Sequence, residues 1–247
     1  MQSKERYLHN VVRDNVTAIL PFNDEWFVTA TPAKKVPSHG TNLFGVTYAY
    51  DFIQIDQRGL SSHDLSWRTL LSSEDPHAFY CFDRPVLAPV SGKIVAVYHD
   101  APDNVVRRSL PAGLPYMLQQ AKRVAIGPKE IAGNYVMIQD AESHYFVVIV
   151  HLKQQSISCR LGDDIKAGTE IGRCGNSGNS SQPHIHIQAM DQSDFHLAKG
   201  IPLYFTDYLE KKKLLSQNKT SSFRDAESCN ANQASNLKAK KVRTSFR

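Results

Sequence analysis

The sequence predicts a mainly β protein: an antiparallel sheet or open, barrel-like sandwich with a groove, few short helices and a disordered basic C-terminal tail. Three observations predict it. Short segments rich in Val, Ile, Phe and Tyr recur along the 247 residues, among them VTAILPF, EWFVTA, YAYDFIQI, NYVMIQD and YFVVIVHL. Gly, Asn, Ser and Pro punctuate them at turns. The charge is also segregated. Residues 211–247 carry ten Lys or Arg against only Asp225 and Glu227, while the whole chain is +5, so the remaining chain is slightly acidic. The body therefore lacks the basic face of a nucleic-acid binder, and from about Ser216 the chain is too polar to fold by itself.

The hydrophobic content of 41% is enough for a core. We expect N-terminal strands over residues 1–36, a β domain over 37–210 with insertions at about 56–84 and 101–132, and the tail over 211–247. A short helix is expected near the N-terminus. VTAILPF and EWFVTA follow as strands, with Trp26 and Phe27 as packing residues. RPVLAPVSGKIVAVYHD reads as two strands around a Gly-dependent hairpin turn at Ser91 and Gly92. LPYMLQQAKRVAIG is expected to be a helix inside the second insertion. NYVMIQDAESHYFVVIVHL gives two strands around a polar turn at residues 140–143, and GIPLYFTDYLEKKKLL closes the domain with a short helix.

Cys81, Cys159, Cys174 and Cys229 show no C-x-x-C spacing, so neither a thiolate metal site nor a disulfide framework is indicated. A Cys159–Cys174 pair stays open. No run of about 18 apolar residues marks a membrane span. The first 22 residues, with Lys4, Glu5, Arg6, Arg13 and Asp14, do not read as a secretory signal.

The chemistry concentrates in residues 162–191, GDDIKAGTEIGRCGNSGNSSQPHIHIQAMD. His184 and His186 lie two apart on a short apolar strand, so both imidazoles face one side. The loop GNSGNSSQP brings backbone near them without bulk. Two ordinary surface histidines are the competing explanation. Context argues against it: Asp51 sits mid-strand between Tyr50 and Phe52, where a carboxylate is costly unless paired or bound to a cation. His151 ends the apolar run YFVVIV, as a satisfied core residue or a positioned catalytic one. His39 lies in the loop ahead of Asp51; His63 and His77 read as exposed. Zinc in a hydrolytic site takes about three protein ligands and leaves a position for water, whose pKa it lowers. Four imidazoles and a carboxylate would supply three ligands and two proton-transfer groups.

SHGTNLFGVTYAYDF, VLAPVSGKIVAV, the VHL at His151, GDDIKAGTEIG and GNSGNSSQPHIHIQ together resemble the lysostaphin-type zinc metallopeptidases, over roughly residues 37–206. The resemblance implies a zinc metalloendopeptidase that cuts peptide bonds in peptidoglycan stem peptides or cross-bridges. It implies Asp51 and His186 as zinc ligands, with His151 and His184 as catalytic non-ligands. The family usually places its first ligand histidine four residues before the aspartate. Thr47 stands there, and His39 fits a variant in which the ligand comes earlier and residues 40–46 fold back.

Thr47 also keeps open a zinc-free relative that binds peptidoglycan or a partner without cutting it. VLAPVSGKIVAV and GDDIKAGTEIG further resemble half-motifs of biotinyl or lipoyl carriers and of glucose-type phosphotransferase domains. A carrier needs a Met-Lys hairpin that is not found here, and a phosphotransferase would not use an Asp-centred metal site. The basic tail is a solvated extension able to contact anionic polymers.

Overall fold

The structure, a computed structural model, describes residues 14–63, 72–106, 126–212 and 240–243. Its strands are β1 (Val16–Ile19), β2 (Glu25–Ala30), β3 (Tyr50–Ile53), β4 (Pro85–Leu87), β5 (Gly92–Tyr98), β6 (Asn134–Asp140), β7 (Phe146–Leu152), β8 (Asp164–Ile165), β9 (Glu170–Arg173), β10 (Ile185–Met190), β11 (Gly200–Ile201), β12 (Leu203–Thr206), β13 (Leu209–Lys212) and β14 (Lys240–Arg243). Among the described residues the longest α-helical piece is α1 (Pro128–Ala132), beside short 3-10 turns such as Leu43–Tyr48. No described helix is long and apolar enough to cross a membrane.

A large antiparallel sheet runs β13-β14-β2-β3-β10-β7-β6-β5-β8, with β11 added beside β10. Two small pairs, parallel β1-β12 and antiparallel β4-β9, complete the fold. The mainly β, antiparallel class read from the sequence is the observed one. The sheet is open and not closed into a barrel.

The central strands explain why the sheet holds. In β10, Ile185, Ile187 and Ala189 point into the main core, while His186, Gln188 and Met190 point to the opposite face. The main core joins Val147 and Ile149 of β7 to Val16, Phe22, Trp26, Phe52, Val86, Ile94, Ile171 and Leu203. A second cluster on the other face gathers Met137, Val148, Val150, Met190 and Ala132. Strands β7 and β10 are buried on both sides; β7 carries a near-continuous apolar run, whereas β10 alternates apolar residues with His186 and Gln188.

Several local expectations are corrected. Ser91 and Gly92 do not make a hairpin: β4 pairs with β9, whereas β5 pairs with β6 and β8. Pro89 has no N–H to give a ladder, and its carbonyl accepts from Ile19 N, so the chain crosses between sheets there. Gly92 is needed for space and not for a turn, since a Cβ would lie 2.0 Å from Gln139 O. The expected closing helix over GIPLYFTDYLEKKKLL is instead β11, β12 and β13, with Leu203 buried and Tyr204 exposed in strand alternation.

Part of the expected disordered tail is also paired: β14 bridges β13 and β2. Residues 1–13, 213–239 and 244–247 lie outside the described residues, and with them the short helix expected near the N-terminus and most of LPYMLQQAKRVAIG. Among the described cysteines, Cys81, Cys159 and Cys174 are free and buried. Cys174 lies against Cys81, whose thiol donates to Pro183 O at 3.0 Å.

Candidate metal centre

Register brings the first two residues together. Strands β3 and β10 are neighbours, and Asp51 pairs directly with His186. Across the other edge of β10, His186 is opposite Val150. His184 directly precedes β10 and shares the His186 face. Strict alternation from Val150 would aim His151 into the main core, away from them.

A bulge prevents that. Between β6 and β7, Asn134 pairs with Leu152 but Val136 with Ile149, so β7 holds one residue more than its partner. His151 takes φ +62°, a left-handed conformation that costs a residue with a Cβ. The kink turns its ring to the histidine face, 4.8 Å from the His184 ring and 5.9 Å from that of His186, while Leu152 returns to the core. A second irregularity, at Thr29 of β2, lies opposite Asp51.

The loop ahead of β3 folds back over β10. Ser38 N donates to Thr47 O at 3.0 Å, closing residues 38–47 on themselves, and His39 Nε2 comes 3.0 Å from Asp51 Oδ2. Gly45, at φ +75°, sits where a Cβ would be 2.7 Å from Met190 Cγ. Gly45→Ala is therefore expected to cost more than the roughly 1–2 kcal/mol of the left-handed backbone alone. Chemical denaturation of the variant, with metal affinity measured alongside, checks this; unchanged values of both would mean the loop does not need this close approach. Thr47 faces elsewhere, its hydroxyl donating to Asn42 Oδ1 at 3.1 Å.

The four imidazoles have tautomers that backbone carbonyls settle, because a carbonyl only accepts. His151 Nδ1 donates to Ser177 O (3.0 Å) and His184 Nδ1 to Gln182 O (2.8 Å). Ser38 Oγ gives its single proton to Val46 O (3.1 Å), so it accepts from His39 Nδ1 (2.9 Å). Gln188 Nε2 donates to Phe44 O (2.6 Å), which turns Gln188 Oε1 toward His186 Nε2 (3.0 Å) to accept its proton.

Each neutral ring thus presents a lone pair inward: Nε2 of His39, His151 and His184, and Nδ1 of His186. His186 Nδ1 is 2.9 Å from Asp51 Oδ1, and His184 Nε2 is 3.7 Å from it. Acceptors that converge in this way repel unless a cation or proton lies between them. The donor atoms of His39, Asp51 and His186 all lie within 4.8 Å of one another, as do those of His151, His184 and His186. Two nitrogens and a carboxylate oxygen, with outer hydrogen bonds fixing each ring, fit a zinc-type ion.

A proton can take the place of the cation between these acceptors, and a ring nitrogen then donates to an ionised Asp51. Burial pushes the Asp51 carboxyl up, but the charge of His184 and the hydrogen bonds of His186 and His39 outweigh it and hold the group well below the usual range. Burial, reinforced by His184 and His186, holds His151 well below the ordinary histidine value. Burial also lowers His184, against the pull of Asp51. For His186, burial is outweighed by Asp51 and Gln188, and its pKa is raised.

The structure thus brings His39, Asp51, His151, His184 and His186 into one cluster, while His63 and His77 are exposed elsewhere. Gln188 and Ser38 went unnoticed in the sequence reading. The only local signal for Gln188 was its place in the alternation, two residues after His186.

Residues 118–196 match the family Peptidase family M23, a span that includes His151, His184 and His186. This stretch of the chain is similar to the M23 peptidases. It is 34% identical over 198 residues to an uncharacterized metalloprotease of Buchnera aphidicola subsp. Baizongia pistaciae, covering 76% of this chain and 44% of that protein. To peptidoglycan DD-endopeptidase ShyA of Vibrio cholerae it is 29% identical over 147 residues, covering 55% of this chain and 32% of that one. The catalytic domain of lysostaphin from Staphylococcus simulans superposes with a TM-score of 0.36 at 19% identity, over 65% of this chain and 80% of that one. The chain spans less than half the length of these two curated relatives. The M23 match leaves His39 and Asp51 outside its span, so their link to the other three residues is a matter of tertiary geometry.

Proposed function

We propose that the protein is a zinc-dependent metalloendopeptidase that hydrolyses peptide bonds in peptidoglycan stem peptides or cross-bridges. The observation that carries this reading is the convergence of lone pairs from His39 Nε2, His186 Nδ1 and the Asp51 carboxylate, a set that asks for a cation. His39, Asp51 and His186 are the proposed ligands. Zinc held there would polarise the scissile carbonyl and lower the pKa of water.

His151 and His184 are the proposed catalytic residues. Both are neutral near pH 7 by virtue of burial, and both keep Nε2 free as a proton acceptor because Nδ1 is tied to a carbonyl. One Nε2 takes a proton from the attacking water and the pair returns a proton to the leaving nitrogen. A cleft lined by Phe44, Val46, Pro128, Ile131, Val150 and Phe195 runs to His151 and His186. It offers an apolar wall for a short side chain of the substrate.

The peptidoglycan substrate is supported by the name of the Vibrio relative together with this cleft. A zinc-free binding relative was suggested by Thr47; His39 Nε2 lying 3.0 Å from Asp51 Oδ2 supports the metal-binding reading instead. The deciding experiment combines zinc analysis of purified protein with release of new amino groups from purified peptidoglycan. Stoichiometric zinc is expected, with cleavage that a chelator stops and zinc restores. Zinc without cleavage would overturn the substrate, and protein that takes up no zinc would overturn the metal site.

A further inference from the structure

We propose that Ser38 and Gln188 are positioning residues of one relay, through which the loop of residues 38–47 sets the inward-facing atoms of His39 and His186 together. The proposal rests on the metal-site reading above for its meaning, but its geometry is independent of it.

Two carbonyls of the same short turn, Val46 O and Phe44 O, lie at the origin of both chains of hydrogen bonds. Val46 O takes the Ser38 hydroxyl proton, which leaves Ser38 Oγ to accept from His39 Nδ1 and exposes Nε2 to Asp51. Phe44 O takes the Gln188 amide proton, which turns Oε1 to accept from His186 Nε2 and exposes Nδ1 to Asp51. The rings meet at 4.8 Å between centroids. Were the loop to lift, both relays would open at once: the Gln188 amide could rotate and the Ser38 hydroxyl could turn to His39 as a donor. Either change lets the wrong ring nitrogen carry the proton.

The loop's shape is costly and needs holding. Phe44 is at φ +56° and Gly45 at φ +75°, and the closing bond from Ser38 N to Thr47 O spans their turn. Gln188 is 2% exposed on the histidine face of β10, between His186 and Met190. A Met or Leu would fill the same space, so packing does not explain an amide there. Its two hydrogen bonds, one to the loop and one to the ring, do.

The test uses the full chain and four variants: Ser38→Ala, Gln188→Met, the double variant, and Gln188→Glu. Zinc affinity is measured by chelator competition, and cobalt substitution reports the ligand field by absorption. Each single loss should weaken zinc by about 10–100-fold, the range for outer-shell partners. The double variant should lose less than the product of the two, because either change alone releases the shared loop. Gln188→Glu keeps an acceptor for His186 Nε2 but no donor for Phe44 O, so its affinity should lie between wild type and Gln188→Met.

A second readout needs no metal. In zinc-free protein, Gln188→Met should speed hydrogen exchange of the Ser38 amide, which Gln188 does not contact, and should shift the imidazole nitrogen resonances of His39. Wild-type zinc affinity and cobalt spectrum in Gln188→Met, losses that multiply in the double variant, or an unmoved Ser38 amide would each overturn the relay. If wild-type protein itself takes up no zinc, the metal-site reading fails, and the amide exchange still decides whether the loop couples the two rings.

Discussion

Asp51→Ala is expected to abolish zinc binding and reduce hydrolysis to background. The carboxylate is the hub of the cluster, with His39 Nε2 at 3.0 Å, His186 Nδ1 at 2.9 Å and His184 Nε2 at 3.7 Å. Removing it takes away one of the three proposed ligands and the negative charge that offsets the cation, and zinc affinity should fall by more than the roughly 100-fold typical of outer-shell losses. Asp51→Asn, nearly the same shape, should lose zinc as well, which separates loss of charge from loss of packing. His184→Ala and His151→Ala should behave differently: zinc stays, while kcat falls by about 100- to 10,000-fold, the range for a general acid or base. Metal analysis of the purified variants decides the matter. Equal zinc in the Asp51, His184 and His151 variants would mean that the ligands have been assigned wrongly.

His39→Ala should cost both zinc and hydrolysis, while Thr47→Ala should cost little of either. The two residues compete for one role. Thr47 holds the sequence position four before Asp51, yet its hydroxyl bonds Asn42. His39, twelve residues before Asp51, is the one whose ring nitrogen reaches the carboxylate. Zinc affinity of His39→Ala should drop by more than about 100-fold, beyond an outer-shell effect, with the melting profile of the zinc-free protein used to check that the chain still folds. Wild-type zinc content in His39→Ala would return the third ligand to His151 or His184, which form the other triad around His186.

What the sequence by itself determined was local and periodic. The alternation IHIQAM places His186 and Gln188 opposite Ile185, Ile187 and Ala189, because a strand repeats every two residues whatever lies beside it. Asp51 inside an aromatic strand signalled an unusual carboxylate for the same reason: the cost of burying a charge is readable from its neighbours. The antiparallel β class also follows from local patterns, since short apolar segments between Gly, Asn and Pro turns suit little else.

Only the tertiary structure decided which strands meet and in what register. The Asp51–His186 pair joins residues 135 apart in the chain, and no local pattern carries that distance. The bulge at His151 exists only relative to β6, since an extra residue can be counted only against a partner strand. The strands β11, β12 and β13 replaced an expected helix because β1, β10 and β14 offered them edges to pair with, which outweighs a weak local preference. The relay from Val46 O and Phe44 O to His39 and His186 depends on a loop conformation with two successive left-handed residues. Gly45 makes that conformation available, and its contact with Met190 and Gln188 across the fold selects it.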